Sequence, residues 1–285
     1  MRFVATVVFW LATTVALAVA VPAAWAQITI IDEDGYAELA RTAAADPALQ
    51  SAMAAELTTR ATALIAERGG PSYPSYPVDS STVHDAAAAF TAGPAFPPLF
   101  AQANRVAHRW LFGEPRSGRT GDQWVVDLAP MLNDSALQQV LSGYHVTVPA
   151  TLEVPLTVSM PQLMRQGQLR RLAVWGPWVS IGAAASSAGC ALLMLATARR
   201  RGKALTGLGV SALLVGAAGW AGIEIGSRHV NDALNRTTGD IRRVADVMVA
   251  TAERSLHLWL NLTLAAGAAL VMLGVLAAVL GSLWK

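Results

Sequence analysis

Residues 172–225 read LAVWGPWVSIGAAASSAGCALLMLATARRRGKALTGLGVSALLVGAAGWAGIEI. Two apolar runs flank one short basic cluster, and this arrangement decides what kind of protein the chain is. As α-helices rising about 1.5 Å per residue, both runs are long enough to cross a hydrocarbon layer of about 30 Å. The turn between them carries Arg199, Arg200, Arg201 and Lys203 with no acid. Lysine and arginine collect in cytoplasmic loops, so this turn is expected to face the cell interior.

Working outward, two further apolar blocks appear, at Val4 to Val21 and at Leu258 to Trp284 beside the runs Leu172 to Ala196 and Ala204 to Ile225. The first block is open to two readings. Arg2, the apolar run, the helix-breaking Pro22 and Ala24-Trp25-Ala26 before Gln27 suit a cleavable signal peptide or a retained signal anchor, and we take the anchor. Residues 226–257 mix Arg228, Arg236, Arg242, Arg243 and Arg254 with Asp232, Asp240, Asp246 and Glu253, the balance expected outside the cell. Arg2, Lys203 and Lys285 then all fall inside. The expected layout is a signal anchor or signal peptide over 1–27, an extracytoplasmic helical domain over 28–166 and a transmembrane helix over 167–197. A cytoplasmic loop over 198–203, a second helix over 204–226, a helical hairpin extension over 227–256 and a last span over 257–285 complete it.

Composition supports a membrane protein: 54% of the residues are hydrophobic and 14% charged, unlike an ordinary soluble chain. A net charge of +2 gives a nucleic acid nothing to recognise. Cys190 is the single cysteine and lies mid-span, so no disulfide framework holds the exported part.

That exported part reads as mostly helical. Tyr36, Leu39 and Ala40 share a face, Asp46-Pro47 restarts a helix, and Leu49, Met53, Leu57, Ala61 and Leu64 form its apolar stripe. After the Pro- and Tyr-rich connector 71–77, helices are expected from about Ser81 to Phe90, Pro94 to Trp110 and Ser135 to Leu141. Trp124–Leu128, His145–Val148 and Leu152–Val158 read as short extended segments, limited to edges by Pro149 and Pro155. A helix starting near Met160 is expected to run without a break into the membrane. The fold class is therefore mostly α: a bundle of three or four spans carrying a mainly helical domain with a few short strands.

Spacing in the last two spans says more. Gly202, Gly209 and Gly216 lie seven apart, as do Gly267, Gly274 and Gly281. A period of seven keeps small residues on one helix face, and lipid favours close backbone approach there, so a tight antiparallel hairpin is expected. Gly222 and Gly226 add one isolated GxxxG match. Ile241, Val244, Ala245, Met248, Ala252 and Leu256 continue one stripe above the last span, with Gly239-Asp240 as the expected tip of the hairpin.

Candidate chemistry is sparse. Glu224 is the one acid inside a span; Arg228, Arg254 and His257 are expected near its depth, as a structural ion-pair cluster or a ligand site. In the exported domain His108 and Asp127 are the candidate acid–base pair. His84, His108 and His145 match no metal spacing, and no cofactor, nucleophile or nucleotide signature is present, Ser282–Lys285 being a chance SxxK match.

Several short motifs carry a resemblance: Ile31-Asp32-Glu33-Asp34, the Ala-rich helix with Asp46-Pro47, Ala92 to Phe96 leading to Asn104 to His108, and Val125 to Leu128. With the closing spans, the chain resembles a group of uncharacterised actinobacterial integral membrane proteins. The resemblance covers most of the chain and implies the same layout, but brings no activity. The leading expectation is a non-enzymatic envelope scaffold or accessory subunit presenting its domain to a partner protein, an envelope precursor or a second copy, in contact with membrane lipid. Alternatives are a transport or lipid-handling protein using Glu224, or an extracytoplasmic enzyme.

Overall fold

The computed structural model describes residues 2–68, 79–113, 125–155, 167, 169–198, 201–234 and 239–283. Its elements are α1 (Arg2–Ala26), continued by a π-helical turn over Gln27–Ile31, then α2 (Glu33–Ala43), α3 (Pro47–Arg68), α4 (Ser80–Ala92) and α5 (Phe96–Phe112). There follow β1 (Val125–Asp127), α6 (Ala129–Leu132), α7 (Ser135–Gly143), β2 (Glu153–Pro155), α8 (Arg170–Thr197), α9 (Arg201–Leu234) and α10 (Asp240–Leu283). Four helices are long and apolar enough to cross a membrane, within Val4–Ile31, Arg170–Thr197, Gly202–Asp232 and Asp240–Leu280. The chain divides into two units: an apolar bundle of 1–31, 171–230 and 253–285, and a helical domain of 32–170 and 231–252.

Inside the bundle, backbone meets backbone where side chains are smallest. A methyl group placed on Gly209 would stand 2.6 Å from the Gly267 carbonyl and 2.7 Å from the Val271 nitrogen; one on Gly202 would stand 2.7 Å from the Gly274 carbonyl. Partner numbers on α10 fall as those on α9 rise, so the two helices are antiparallel. Gly216 faces Leu264 at the same seam, whereas Gly222 and Gly226 face open space. The surroundings of Gly281 lie outside the described residues.

The other two helices are held by polar bonds as well as packing. The Trp10 indole donates to the Gly207 carbonyl at 2.9 Å and the hydroxyls of Thr14 and Ser211 share a bond of 2.8 Å. Both pairs step by four in the same direction, so α1 runs parallel to α9. Trp25 adds a bond of 3.3 Å to Ser255 on α10. Helix α8 is antiparallel to α1: Gly176 lies against Gln27 and Ile31, while Met194 reaches Gly207 beside Trp10. Ser180, Ser187 and Met194 are its buried residues, seven apart. The opposite face exposes Trp175, Trp178, Ile181 and Leu192, an arrangement stable in lipid and costly in water. The resulting register is up, down, up, down. One end of the bundle carries Arg201 and Lys203; at the other, the junction end, the chain passes to the domain at 31/32, 170/171, 230/231 and 252/253.

Two expectations are corrected here. Pro22 does not break the first helix, which runs through it to Ala26. A proline removes one amide donor, and a packed membrane helix absorbs that loss. No continuous helix joins the region after Met160 to the second apolar segment: Gly167 has φ of +73°, and α8 begins at Arg170. That left-handed turn suits glycine, and it lets Gly167 and Leu169 donate to the carbonyls of Trp110 and Leu111 at the end of α5. The expected helix over 160–166 lies outside the described residues, as do the connector 71–77, Trp124 and the segment beyond Pro155.

The domain starts its helices with aspartates. Asp32, Asp46, Asp79 and Asp134 accept from the amides of Gly35, Ala48, Ser81 and Ala136, and Pro47 fills the first position of α3. Bonds from Ser81 and Thr82 hold the Asp79 carboxyl down at about 2. The core then forms where α3 packs on α4 and α2 on α5. Leu49, Leu57, Val83, Phe96, Leu132, Leu137 and Leu141 are fully enclosed. Phe96 meets Phe90 edge-on at 5.7 Å, and truncating such a ring to alanine costs about 3–5 kcal/mol. Val244, Val247 and Met248, from the first turns of α10, pack against this same core. Strands β1 and β2 pair antiparallel, Val126 opposite Val154, with Pro155 at the end of the ladder.

These contacts separate two kinds of glycine. We expect Gly209→Leu to lower stability by roughly 1–3 kcal/mol or more, because its side chain would meet backbone, and Gly222→Leu to stay within about 0.5 kcal/mol of the parent. Thermal unfolding in detergent checks this; equal melting of both variants would refute close packing at Gly209.

Candidate functional site

Polar side chains gather at the junction end of the bundle because α9 and α10 bring matching periods together there. Trp220, Glu224 and Arg228 are four apart on α9, and His257 and Asn261 are four apart on α10. The rings of Trp220 and His257 stack at 3.9 Å and 8°, and the Trp220 indole donates to Asn261 Oδ1 at 3.2 Å. One turn on, Arg228 reaches Glu224 at 3.3 Å, in the favoured i,i+4 sense. Both of those side chains are more than 70% exposed, so the pair is solvent- or headgroup-facing rather than enclosed. An exposed pair contributes about 0–1 kcal/mol in water.

Of the four residues expected to cluster, Glu224 and Arg228 are therefore joined directly, and His257 is held one turn away by Trp220. Arg254 is exposed and neighbours Ser255, the acceptor of Trp25. Trp220 and Asn261 join them. Their only sequence signal is a polar amide and an indole inside two apolar runs, and that does not say which faces which.

A second polar seam joins α2 to α5 in the domain. Arg109 makes a forked contact with Glu33, at 2.6 to 3.0 Å, and Arg105 reaches Asp34 at 2.7 Å. Acids in the first turn of α2 also meet the positive end of that helix. Beneath these pairs His108 is buried, stacked on Phe112 at 4.3 Å and tilted against Tyr36 at 5.2 Å. Tyr36 reaches Asn104 at 3.5 Å, and burial pushes its phenol above the ordinary value of 10. The His108 ring thus sits among aromatics as a packing element of the α2–α5 seam. The side chain of Asp127, its expected partner, lies outside the described residues. His84 bonds Thr58, and His145 occupies a left-handed backbone position with φ of +56°. Among the described residues no group of three metal-binding side chains converges.

Comparison of the chain with protein-family models, with curated proteins and with solved structures finds no match.

Glu33 gives the seam a pH signature. Its bond to Arg109 holds the carboxyl below the ordinary 4.5, against a smaller opposing effect of partial burial. A carboxyl depressed in the folded state stabilises fully above its unfolded value and loses that contribution as pH falls through the folded one. The melting temperature of a Glu33→Gln variant should therefore fall less than that of the parent between about pH 5 and pH 3. Parallel acid profiles for the two chains would refute the linkage.

Proposed function

We propose that the protein is a non-enzymatic, multi-pass cell-envelope component, a scaffold or accessory subunit that presents its helical domain to a partner protein or envelope precursor. One observation carries this reading. Val244, Val247 and Met248, which pack on the domain core, belong to the same unbroken α10 that goes on to supply Gly267 and Gly274 to the bundle seam. Residues 231–252 of the domain are joined to residues 32–170 only through the apolar spans 171–230, so such a domain is built to stay with its membrane base. The basic residues Arg201 and Lys203, with Arg2 at the start of α1, favour a cytoplasmic location for their end and an extracytoplasmic one for the domain. The C-terminus is then cytoplasmic.

A retained signal anchor belongs to this reading. The bonds of Trp10, Thr14 and Trp25 tie α1 to α9 and α10, the Thr14 hydroxyl meeting the fully buried Ser211. Cleavage after Ala26 would strip all three. Intact-mass measurement of the membrane-extracted protein is expected to find α1 still attached; a chain beginning at Gln27 would remove the anchor from the proposal. For the scaffold role, copurification in mild detergent should return a stoichiometric protein partner or a second copy. A clean monomer across several detergents would count against it.

A further inference from the structure

The exposed face that α9 and α10 share at the junction end has the chemistry of a binding site for one amphiphile. Trp220, stacked on His257 and bonded to Asn261, lies at its inner edge. Because Asn261 Oδ1 is taken by the indole, its amide N–H donors remain. Arg228 spends one donor on Glu224, and among the described residues no other protein acceptor takes the remaining ones. Glu224 engages Arg228 through Oε1 and leaves a second carboxylate oxygen. The row thus offers several N–H donors for an anion beside one carboxylate for a cation.

Its surroundings are apolar. Inward of the row, Leu262 on α10 is 63% exposed. Depth agrees with a headgroup level: from Gly202 at the basic end to Trp220, α9 rises about 27 Å, close to the hydrocarbon thickness of about 30 Å. Trp220 also lies where indoles collect at an interface. A partner charged at one end with both signs, and apolar at the other, fits this surface.

We propose that this face holds a phospholipid with a primary-amine headgroup, its phosphate on Arg228 and the Asn261 amide and its ammonium on Glu224, with acyl chains running inward past Leu262. Guanidinium and phosphate make strong charge-assisted bonds, and a primary ammonium has N–H donors that a quaternary one lacks. The inference rests on the four-span bundle and is independent of the scaffold role.

The test is native mass spectrometry of the full-length protein, released from detergent after incubation with chain-matched phosphatidylethanolamine, phosphatidylcholine and phosphatidylglycerol in equal amounts. Phosphatidylethanolamine should be retained roughly fivefold over each of the others, the equivalent of about one surface ion pair. Arg228→Gln should abolish the retention, and Glu224→Gln should reduce phosphatidylethanolamine to the level of phosphatidylglycerol. Both side chains are exposed, so melting temperatures equal to the parent's verify the fold. Equal retention of the three lipids, or preference for phosphatidylethanolamine persisting in Arg228→Gln, would overturn the proposal. Loss of a protein partner in copurification would leave this result unaffected.

Discussion

Everything in the apolar bundle depends on two helices approaching until their backbones touch, at Gly209 with Gly267 and at Gly202 with Gly274. Lipid tails are as apolar as leucine, so burying apolar surface supplies no drive for the helices to associate. What remains is dispersion over a close contact and a few hydrogen bonds. Glycine makes the first possible, at a helix-propensity cost of about 1 kcal/mol per residue that the packing has to exceed. The second is supplied by indoles and hydroxyls, which hold α1 to that pair by bonds to Gly207 and Ser211 on α9 and to Ser255 on α10.

The helical domain obeys the opposite rule. Its surface is polar, with Val106 and Val230 the large apolar side chains exposed among its described residues and their immediate neighbours, and its interior is filled by phenylalanine and leucine. Helix α10 serves both solvents in turn. Its first turns bury Val244, Val247 and Met248 against the domain core, and its later turns present leucine outward and glycine inward. One helix thus changes the meaning of its apolar face along its length, without any break in the backbone.

Features that depend on a single helix were legible in the sequence. The apolar runs, the glycines at 202, 209, 216, 267 and 274, Asp46-Pro47 and the stripe containing Val244 and Met248 are all periodic or local, and each has a place in the structure. Features that depend on which helix meets which were not. Nothing in the spacing of Trp10 and Thr14 names Gly207 and Ser211 as their partners, and nothing in Trp220 names Asn261. Local signals also misled where tertiary context overrules them. Pro22 reads as a breaker, yet α1 continues through it, while the unbroken helix expected to lead into α8 is interrupted by the left-handed turn at Gly167.

The long separation between α1 and its partners has a consequence for biogenesis. Trp10 and Gly207 are 197 residues apart, so at roughly 5–20 residues per second the ribosome needs on the order of 10–40 s to deliver the acceptor after the donor has emerged. A nascent α1 waiting in the bilayer has little water to satisfy its polar groups. Thr13 and Thr14 manage without help, since their hydroxyls donate to the carbonyls of Phe9 and Trp10 in their own helix. The Trp10 indole donates instead to the Gly207 carbonyl, and its need for that acceptor makes the arrival of α9 a step in maturation, completed only when translation is more than two-thirds done.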